Sequence, residues 1–246
     1  MKKENYFIKA SYIPNKMLET MDNVSNGVYW DKKKAYSAGF HQFYVYKYLT
    51  KLINKHGFEK LVDVGCGVGT KLSFVNKKCP NVNIIGIDQE APIKFCKETY
   101  KFGKWFSDDF ENPKEDDRSL NEAKGDILIC SDVIEHVLNP DKLLAYLKTK
   151  VRPDGYIIIS TPERDLSRGK SHNVSPNKHH IREWNREELT KYLTESGFKI
   201  EDYHLEYPVK IVLNRIFVSN FLRWLLQRTR QKLSFKYNQV FLLKLK

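Results

Sequence analysis

The sequence predicts an α/β fold built on a doubly wound sheet of seven strands, and two observations lead to this prediction. Short apolar runs rich in valine and isoleucine alternate with segments of helical period between residues 61 and 162. This alternation is typical of parallel strands joined by right-handed helical crossovers. A glycine-rich turn directly follows the first apolar run and precedes the next helical segment. We therefore expect a ligand site above the carboxyl ends of the strands.

Each element follows from its own pattern along the chain. Apolar residues recur at intervals of three and four over residues 31–56, which predicts a helix that ends at Gly57. A second helix over 70–78 stops before Pro80. Further helices are predicted by the same period over about 92–101, 139–150 and 186–196. The strands are predicted as β-rich runs at 61–64, 82–88, 104–107, 126–131, 155–162, 198–207 and 237–245.

The length and composition are those of an ordinary globular chain, with 246 residues of which 41% are hydrophobic. This suits one large domain, or one domain with appendages. No run approaches the roughly 18 apolar residues that cross a bilayer, and no apolar segment follows the basic start, so we expect a cytoplasmic protein. The four cysteines show no CxxC spacing, which argues against a zinc knot or a disulfide frame.

The net charge of +12 is the unusual global property of the chain. It favours either affinity for nucleic acid or membrane, or attraction of a small anionic substrate. The basic residues are spread along the chain, although 164–182 and 210–236 are richer in them than average. We therefore expect a small anionic substrate, and nucleic acid is an unlikely partner.

The turn from Asp63 to Thr70, with the sequence DVGCGVGT, has the features of a ligand-binding loop. Glycines let the backbone turn sharply and approach a ligand, and the next helix offers its N-terminal amides to an anion. The G-x-G-x-G spacing differs from that of dinucleotide sites, and no G-K-[ST] ending follows. Asp88 ends the second strand about 20 residues later, where a carboxylate can accept both ribose hydroxyls. The alternative for Asp88 is a helix N-cap.

Together with the run SDVIEHV over 131–137, these motifs resemble those of the class I S-adenosylmethionine-dependent methyltransferases. The likeness is greatest to the group with the ubiquinone-biosynthesis O-methyltransferases and covers about residues 58–162. The runs PERD over 162–165 and HIREWN over 180–185 resemble methyltransferases associated with bacterial surface-polysaccharide synthesis. The resemblance implies a Rossmann-like sheet, mostly parallel with an antiparallel last strand, and S-adenosyl-L-methionine as the cofactor.

The resemblance also implies roles for individual residues. Asp63 would accept the ammonium of the methionine part, and Asp88 would hold the ribose. Asp109 would accept from the adenine amine, with Asp108 as its rival, and Ser131 would lie beside the methionine part. The residues predicted to bind the cofactor are Asp63, Gly65, Cys66, Gly67, Asp88, Gln89, Asp109 and Ser131.

Three parts are expected within this framework. Residues 1–56 would form an N-terminal arm and helix that act as a lid, and residues 57–162 the cofactor-binding core. Residues 163–246 would add a substrate-side insert, a basic amphipathic helix and the closing strands of the same domain.

Methyl transfer is an in-line displacement, for which the protein supplies mainly proximity, alignment and a water-poor pocket. A general base is needed only if the proton on the acceptor has a high pKa. Glu135 and His136, at the mouth of the fourth strand, are the candidate catalytic residues. The alternatives are that Glu135 caps the following helix and that His136 only packs. A phosphate or carboxylate oxygen would need no base.

The polar insert over 163–184 indicates the kind of acceptor. Loops beyond the strand ends line the substrate mouth in this architecture, and the planar fork of arginine suits phosphate and carboxylate. The alternative is a solvated charged loop. His172 and His179 with His180 could suggest zinc, but no cysteine lies near them and we expect no metal. The residues expected to bind the acceptor are Arg164, Arg168, His180 and Arg182.

Residues 210–233 have a helical period with a basic and an apolar side. Such a helix can lie on an anionic membrane or bind a lipid-linked substrate. It can also cover a substrate cleft or form a dimer seam. Peripheral membrane contact and an oligomer are therefore both open.

The sequence predicts an O-methyltransferase that acts on a small phosphorylated or sugar-derived precursor of a bacterial surface polysaccharide, such as a capsular phosphoramidate or sugar. One alternative is O-methylation of a quinone or other aromatic compound. The other is an RNA-binding or RNA-methylating protein, although the fourth strand lacks the N-P-P-Y-type motif for base amines.

Overall fold

A computed structural model of the protein describes residues 4–15, 39–113, 123–211 and 236–246. The strands are β1 Lys60–Val64, β2 Asn83–Asp88, β3 Lys104–Ser107, β4 Gly125–Ser131, β5 Val151–Pro162, β6 Phe198–Glu206 and β7 Asn238–Leu245. The helices are α1 Phe43–His56, α2 Thr70–Lys78, α3 Glu90–Thr99, α4 Pro140–Thr149, α5 Arg164–Arg168 and α6 Arg186–Glu195, with a short 3-10 turn at Glu4–Phe7.

All seven strands join one sheet in the order β3-β2-β1-β4-β5-β7-β6. β7 runs antiparallel to both of its neighbours, while the pairs from β3 to β5 are parallel. This confirms the predicted α/β sheet with its antiparallel last strand. Because β1 pairs with β2 on one side and β4 on the other, the chain reverses its winding there. In sheets of this kind, the ligand crevice lies above the carboxyl ends of the strands at this point.

Helices cover both faces of the sheet, which explains why the central strands are continuous apolar runs. One face packs against α1, α2 and α3. The other packs against α4, α6 and the N-terminal segment, where Ile8 and Tyr12 are buried. The sheet is therefore the middle of three layers, and its carboxyl edge is left for a ligand.

Local signals set the helix ends close to the predicted positions. α1 ends at Gly57, whose left-handed φ of 66° stops the helix as expected. The side chain of Asn139 accepts from the first amides of α4. Asn185 and Glu188 form a capping box at the start of α6.

The predicted helix over 31–56 is too long at its start. Residues 39–42 are not helical, because His41 forms a bridge with Val209 and the amide of Gln42 donates to the carbonyl of Pro208. Gln42 has a left-handed φ of 52°, and α1 begins directly after it. Residues 31–38 lie outside the described part of the chain.

The N-terminal segment 4–15 packs on the insert. The side-chain amide of Asn15 donates to the carbonyls of Ser175, Asn177 and His180 at 2.9–3.1 Å. The backbone amide of Lys9 donates to the Glu188 carboxylate. The lid role of 1–56 stays a prediction, and residues 16–38 lie outside the described ranges.

Among the residues that the structure describes, we find no helix long and apolar enough to cross a membrane. The basic segment 210–233 falls, apart from its first two residues, on a part that the structure does not describe. Its contact with a membrane and its role in an oligomer stay predictions.

Candidate active site

The glycine loop after β1 turns back beneath the end of β2. The amides of Gly65 and Cys66 both donate to the carbonyl of Ile87. Gly65 has a left-handed φ of 84°, and an added Cβ would lie 2.3 Å from Cγ2 of Val133. A side chain is therefore excluded here by conformation and by space. Cys66 is buried, and burial raises the pKa of its thiol well above the usual value, so the thiol stays protonated. Cys66 can therefore contact a ligand through its backbone.

Asp88 is held by two backbone amides. Its Oδ2 accepts from Gly67 at 2.7 Å, and its Oδ1 accepts from Gln89 at 2.7 Å. Gln89, and not Asp88, occupies the N-cap of α3, so the capping alternative is wrong. Burial raises the pKa of Asp88, and the two amide hydrogen bonds oppose this shift. The two bonds fix the carboxylate at the carboxyl edge of the sheet, and ribose binding by Asp88 stays a prediction.

Asp63 is fully buried at the carboxyl end of β1. Its Oδ2 accepts from the Tyr46 hydroxyl at 2.8 Å, while its Oδ1 is buried without a hydrogen-bond partner among the described residues. Burial raises the pKa of Asp63 to about 7, although the Tyr46 hydrogen bond and Lys71 act to lower it. An ammonium group would satisfy Oδ1, so this pocket fits the methionine end of the predicted cofactor.

Lys71 lies in the same pocket and was not predicted. Its ammonium is 5.3 Å from the centre of the Tyr46 ring and donates to Oε1 of Gln42 at 3.3 Å. Burial lowers its pKa, while the carboxylates of Asp63 and Asp132 act to raise it. The sequence did contain a signal for Lys71, because this residue lies in the first turn of the helix that follows the glycine loop. Tyr46 lies on the buried face of α1 with Leu49 and Ile53, so its spacing indicated burial but not its hydrogen bond to Asp63.

Ser131 begins a hydrogen-bonded chain at the end of β4. Its Oγ lies 2.7 Å from Oγ of Ser160, which donates to Oδ1 of Asp132 at 2.8 Å. Asp132 also accepts from the side-chain amides of Gln42 and Asn238. The chain joins β4 to β5 and β7, so Ser131 is held firmly at the crevice.

Asp108 and Asp109 follow β3 and have different surroundings. Asp108 is buried, and its carboxylate accepts from the Tyr146 hydroxyl at 2.7 Å and from the Asp109 amide at 3.0 Å. Its amide donates to the carbonyl of Asp88. The exposed Asp109 carboxylate instead accepts from the amides of Glu111 and Asn112. Asp109 stays the predicted adenine contact. Asp108 stays its rival, and the hydrogen bond from its amide places it directly beside Asp88.

The candidate catalytic pair lies beyond β4. Glu135 is fully buried, and neither carboxylate oxygen has a hydrogen-bond partner among the described residues. It does not cap α4, whose N-cap is Asn139. His136 is half-buried, with Nδ1 2.7 Å from the carbonyl oxygen of His179. Burial and the neighbouring His180 lower the pKa of His136 to about 4, so its ring is neutral at pH 7.

Two of the predicted acceptor contacts are arginines that form ion pairs with the protein itself. Arg164 is 1% exposed, and its guanidinium donates to both oxygens of Glu188 at 2.6 and 3.0 Å and to Asp165 at 3.0 Å. Arg168 donates to both oxygens of Glu183. These pairs join the insert to α6 and to itself, and they compensate both charges within the protein. Acceptor binding by Arg164 and Arg168 stays a prediction that these contacts do not favour.

Arg182 and His180 lie next to the candidate catalytic pair. The Arg182 guanidinium donates to the carbonyl of Leu138 at 2.9 Å and lies 4.6 Å from the centre of the Tyr6 ring. Its Nε is buried without a partner, and it forms no ion pair within the described ranges. The buried His180 ring contacts the His136 ring edge-on, with centroids 4.7 Å apart. Of the three arginines predicted to bind the acceptor, Arg182 is therefore the one that forms no ion pair with a described carboxylate.

A family model described as a methyltransferase domain matches residues 41–203. The chain belongs to this methyltransferase family. The predicted class I S-adenosylmethionine-dependent methyltransferase is thereby confirmed, and S-adenosyl-L-methionine is the cofactor at the level of the family.

Curated relatives carry matching names. A probable S-adenosylmethionine-dependent methyltransferase of Mycolicibacterium smegmatis is 27% identical over 154 residues, which are 62% of this chain and 56% of the relative. A ubiquinone biosynthesis O-methyltransferase of Cupriavidus pinatubonensis is 27% identical over 109 residues, or 44% and 43% of the two chains. The chain thus spans about half the length of the curated relatives that it matches.

Solved structures share the fold over nearly the whole chain. The plantazolicin methyltransferase BpumL, in complex with a monoazolic desmethylPZN analogue and SAH, has a TM-score of 0.58 at 16% identity and covers 93% of this chain and 91% of its own. An S-adenosylmethionine-dependent methyltransferase from Clostridium acetobutylicum has a TM-score of 0.55 at 15% identity, with coverages of 92% and 99%. At these identities the likeness supports the fold.

The buried ion pairs of Arg164 predict a structural role. Arg164→Ala leaves the carboxylates of Glu188 and Asp165 without their cation, so it should lower the free energy of unfolding by about 3 kcal/mol. Urea denaturation followed by circular dichroism measures this loss. Arg152→Ala is the control, because Arg152 is 55% exposed in its pair with Asp126 and should contribute less than about 1 kcal/mol. Equal losses in the two variants would contradict the role assigned to Arg164.

The pKa of Asp63 predicts how cofactor affinity depends on pH. The carboxylate form binds the ammonium, so affinity for S-adenosylmethionine should be level above the pKa of about 7 and fall as pH decreases, by up to about tenfold per unit. Tyr46→Phe removes a hydrogen bond that lowers this pKa, so the midpoint should move to higher pH. Calorimetric titrations between pH 5.5 and 8 measure both effects. Asp63→Asn is the control, and a pH dependence that survives it would belong to another group.

Proposed function

We propose that this protein transfers the methyl group of S-adenosylmethionine to an oxygen of a small anionic acceptor. The acceptor would be a phosphorylated or sugar-derived precursor of a bacterial surface polysaccharide, such as a capsular phosphoramidate or sugar. The observation that carries this proposal is the guanidinium of Arg182, which has no ion pair among the described residues and follows His180 at the candidate catalytic pair. The net charge of +12 adds a long-range attraction for anions.

On the cofactor side, each role follows from a contact described above. Asp63 would accept the ammonium at Oδ1, and Lys71 in the same pocket would pair with the cofactor carboxylate. Asp88, fixed by two amides, would accept the ribose hydroxyls through its remaining lone pairs. When bound, the cofactor supplies a methyl group on a sulfonium that is ready for displacement. The protein then adds alignment and exclusion of water.

On the acceptor side, Arg182 would bind an anionic oxygen through Nε and the unused part of its fork. His136 would lie beside the acceptor with a neutral ring. Because Nδ1 donates to the carbonyl of His179, Nε2 carries the lone pair and can accept a proton from a hydroxyl. An acceptor that is already ionised, such as a phosphate, would not use this lone pair.

A quinone or other aromatic acceptor is the second candidate. Its support is that several curated relatives are named ubiquinone biosynthesis O-methyltransferases. These relatives match over less than half of the present chain. Acceptor choice is expected to lie in residues 4–15 and the insert, which surround Arg182.

A methyl-transfer screen with labelled cofactor tests the function. The panel comprises nucleotide-sugars, sugar phosphates and phosphorylated amides, with catechols and an RNA transcript as the competing classes. We expect label in the anionic small molecules. Transfer to catechols or RNA alone would overturn the proposed acceptor class, and no transfer to any member together with no cofactor binding would overturn the methyltransferase itself.

Arg182 gives a kinetic prediction for the acceptor that the screen identifies. Arg182→Gln should raise the KM or lower the kcat/KM for an anionic acceptor by about 100-fold, because a charge-assisted contact is lost. Cofactor affinity should stay within about twofold, since Arg182 lies outside the glycine loop and Asp88. Steady-state kinetics and calorimetry separate the two quantities.

Arg186→Gln is the matched control for this prediction. Arg186 also lies over a tyrosine ring, 4.2 Å from the centroid of Tyr203, but it is exposed and on α6. Similar losses in both variants would indicate a general effect of net charge instead of a contact made by Arg182.

A further inference from the structure

The residue directly before α1 has a strained backbone that its local surroundings do not explain. Gln42 has a left-handed φ of 52°, a conformation that glycine adopts freely and in which asparagine is enriched among residues with a side chain. Gln42 is also the N-cap of α1, yet its side chain makes no capping hydrogen bond. Glycine or asparagine would suit this position better, so the glutamine side chain is expected to serve contacts outside the helix.

The backbone holds Gln42 in this conformation from two sides. Its amide donates to the carbonyl of Pro208 at 2.9 Å, and beside it the amide of Lys210 donates to the carbonyl of Phe40 at 2.7 Å. Its carbonyl accepts from the amide of Val45 at 3.0 Å in the first turn of α1. Strained conformations persist where the surrounding structure fixes them in this way, and they often occur at functional sites.

The side-chain amide of Gln42 lies between a cation and a carboxylate. Its Oε1 accepts from the Lys71 ammonium at 3.3 Å, and its Nε2 donates to Oδ2 of Asp132 at 2.8 Å. An ammonium can only donate, so the oxygen of the amide faces Lys71 and the nitrogen faces Asp132. Lys71 itself forms no ion pair with Asp132 or with another carboxylate in the described part of the chain.

Tyr46 contacts the same ammonium from a second side. It follows Gln42 by four residues, which places both side chains on one face of α1. The centre of its ring lies 5.3 Å from Nζ of Lys71, and its hydroxyl donates to Oδ2 of Asp63 at 2.8 Å. The Lys71 ammonium is therefore held by an amide oxygen and an aromatic ring, both of them uncharged, and its charge is not neutralised by these contacts.

We propose that Gln42 is a positioning residue that separates Lys71 from Asp132 and so leaves the Lys71 ammonium for the carboxylate of the cofactor. The role rests on the proposed function, in which Lys71 pairs with that carboxylate. A direct ion pair between Lys71 and Asp132 would satisfy the ammonium within the protein, and the cofactor would have to break that pair in order to bind. The amide instead uses one of the three N–H donors of the ammonium and leaves the others for a ligand.

A structural role for Gln42 is the alternative, because Asp132 also has a left-handed φ, of 55°, and accepts from Gln42. Asp132 keeps two further donors when Gln42 is replaced, the Ser160 hydroxyl at 2.8 Å and the Asn238 side-chain amide at 3.2 Å. A loss of structure would weaken the binding of every part of the cofactor, whereas a misplaced Lys71 would weaken only the binding of its amino-acid part. The two roles therefore differ in a measurable way.

The test compares the affinities of the full chain for two ligands by calorimetry. S-adenosylhomocysteine carries an amino-acid part with an ammonium and a carboxylate, and methylthioadenosine lacks both groups. Gln42→Asn suits the left-handed backbone but has an arm one carbon shorter, so its amide cannot reach Lys71 and Asp132 together. We expect this variant to bind S-adenosylhomocysteine about tenfold more weakly than the parent, and methylthioadenosine within about twofold of the parent. Equal losses for both ligands would overturn the proposal, as would no loss for either.

A double-mutant cycle with Lys71→Met shows whether Gln42 acts through Lys71. Lys71→Met should itself lower the affinity for S-adenosylhomocysteine at least about tenfold. Adding Gln42→Asn should then change that affinity by less than about twofold, because the side chain that Gln42 positions is gone. A further loss of about tenfold in the Lys71→Met background would give Gln42 a contact of its own and overturn the proposal. Gln42→Gly, which relieves the backbone strain, replaces Gln42→Asn if that variant fails to fold.

Tyr48→Phe is the matched control, because Tyr48 is also on α1 and loses one hydrogen bond, to Asp202 on β6 at 2.9 Å. Both affinities should stay at the parent values. A parent protein that binds neither ligand would overturn the cofactor pocket and the role of Gln42 together. A parent that transfers the methyl group, with a Gln42→Asn variant that does not discriminate between the two ligands, would overturn only the role of Gln42.

Discussion

The parallel strands β1, β2 and β4 end at one edge of the sheet, and each brings a carboxylate into the interior there. Burial raises the pKa of Asp63, Asp88 and Glu135 alike. The ammonium of Lys71 acts on the first two but is not among the groups that offset the burial of Glu135. The surrounding side chains therefore do not fully compensate the ionised forms of these three carboxyl groups. A ligand that brings an ammonium, hydroxyl donors or a cation stabilises the folded chain while it binds.

In the insert the situation is reversed, because positive charge is concentrated there and carboxylates compensate part of it. Glu183 accepts from Arg168, Ser175 and His180, and Glu188 accepts from Arg164. These contacts compensate Arg164 and Arg168, two of the three arginines predicted to bind the acceptor. They also fix the His180 ring. The net charge of the chain is thus a poor guide to where an anion binds, and the individual ion pairs decide it.

Short-range patterns predicted most of the fold, because strands, glycine turns and caps depend on neighbouring residues. The glycine loop, Asp88 and all seven strands followed from such patterns. Contacts between distant segments were not predictable in the same way. The bridge between His41 and Val209 shortened α1, and the pairing of Arg164 with Glu188 became visible only when α6 was placed beside the insert. The meeting of His180 with Glu135 has the same origin, since the order of the strands brings them together.

Asp132 connects the two halves of the crevice. Its φ of 55° is unfavourable for a residue with a side chain. Hydrogen bonds from Gln42, Ser160 and Asn238 hold it in this conformation. Gln42 in turn accepts from Lys71, and Ser160 contacts Ser131, so the cofactor side reaches Asp132 by two routes. Glu135 follows in the same turn, and Asp132 is the nearby charge that most raises its pKa after burial itself. Asp132 therefore interacts through its charge with a group on each side, raising the pKa of Lys71 in the cofactor pocket and that of Glu135 in the candidate catalytic pair.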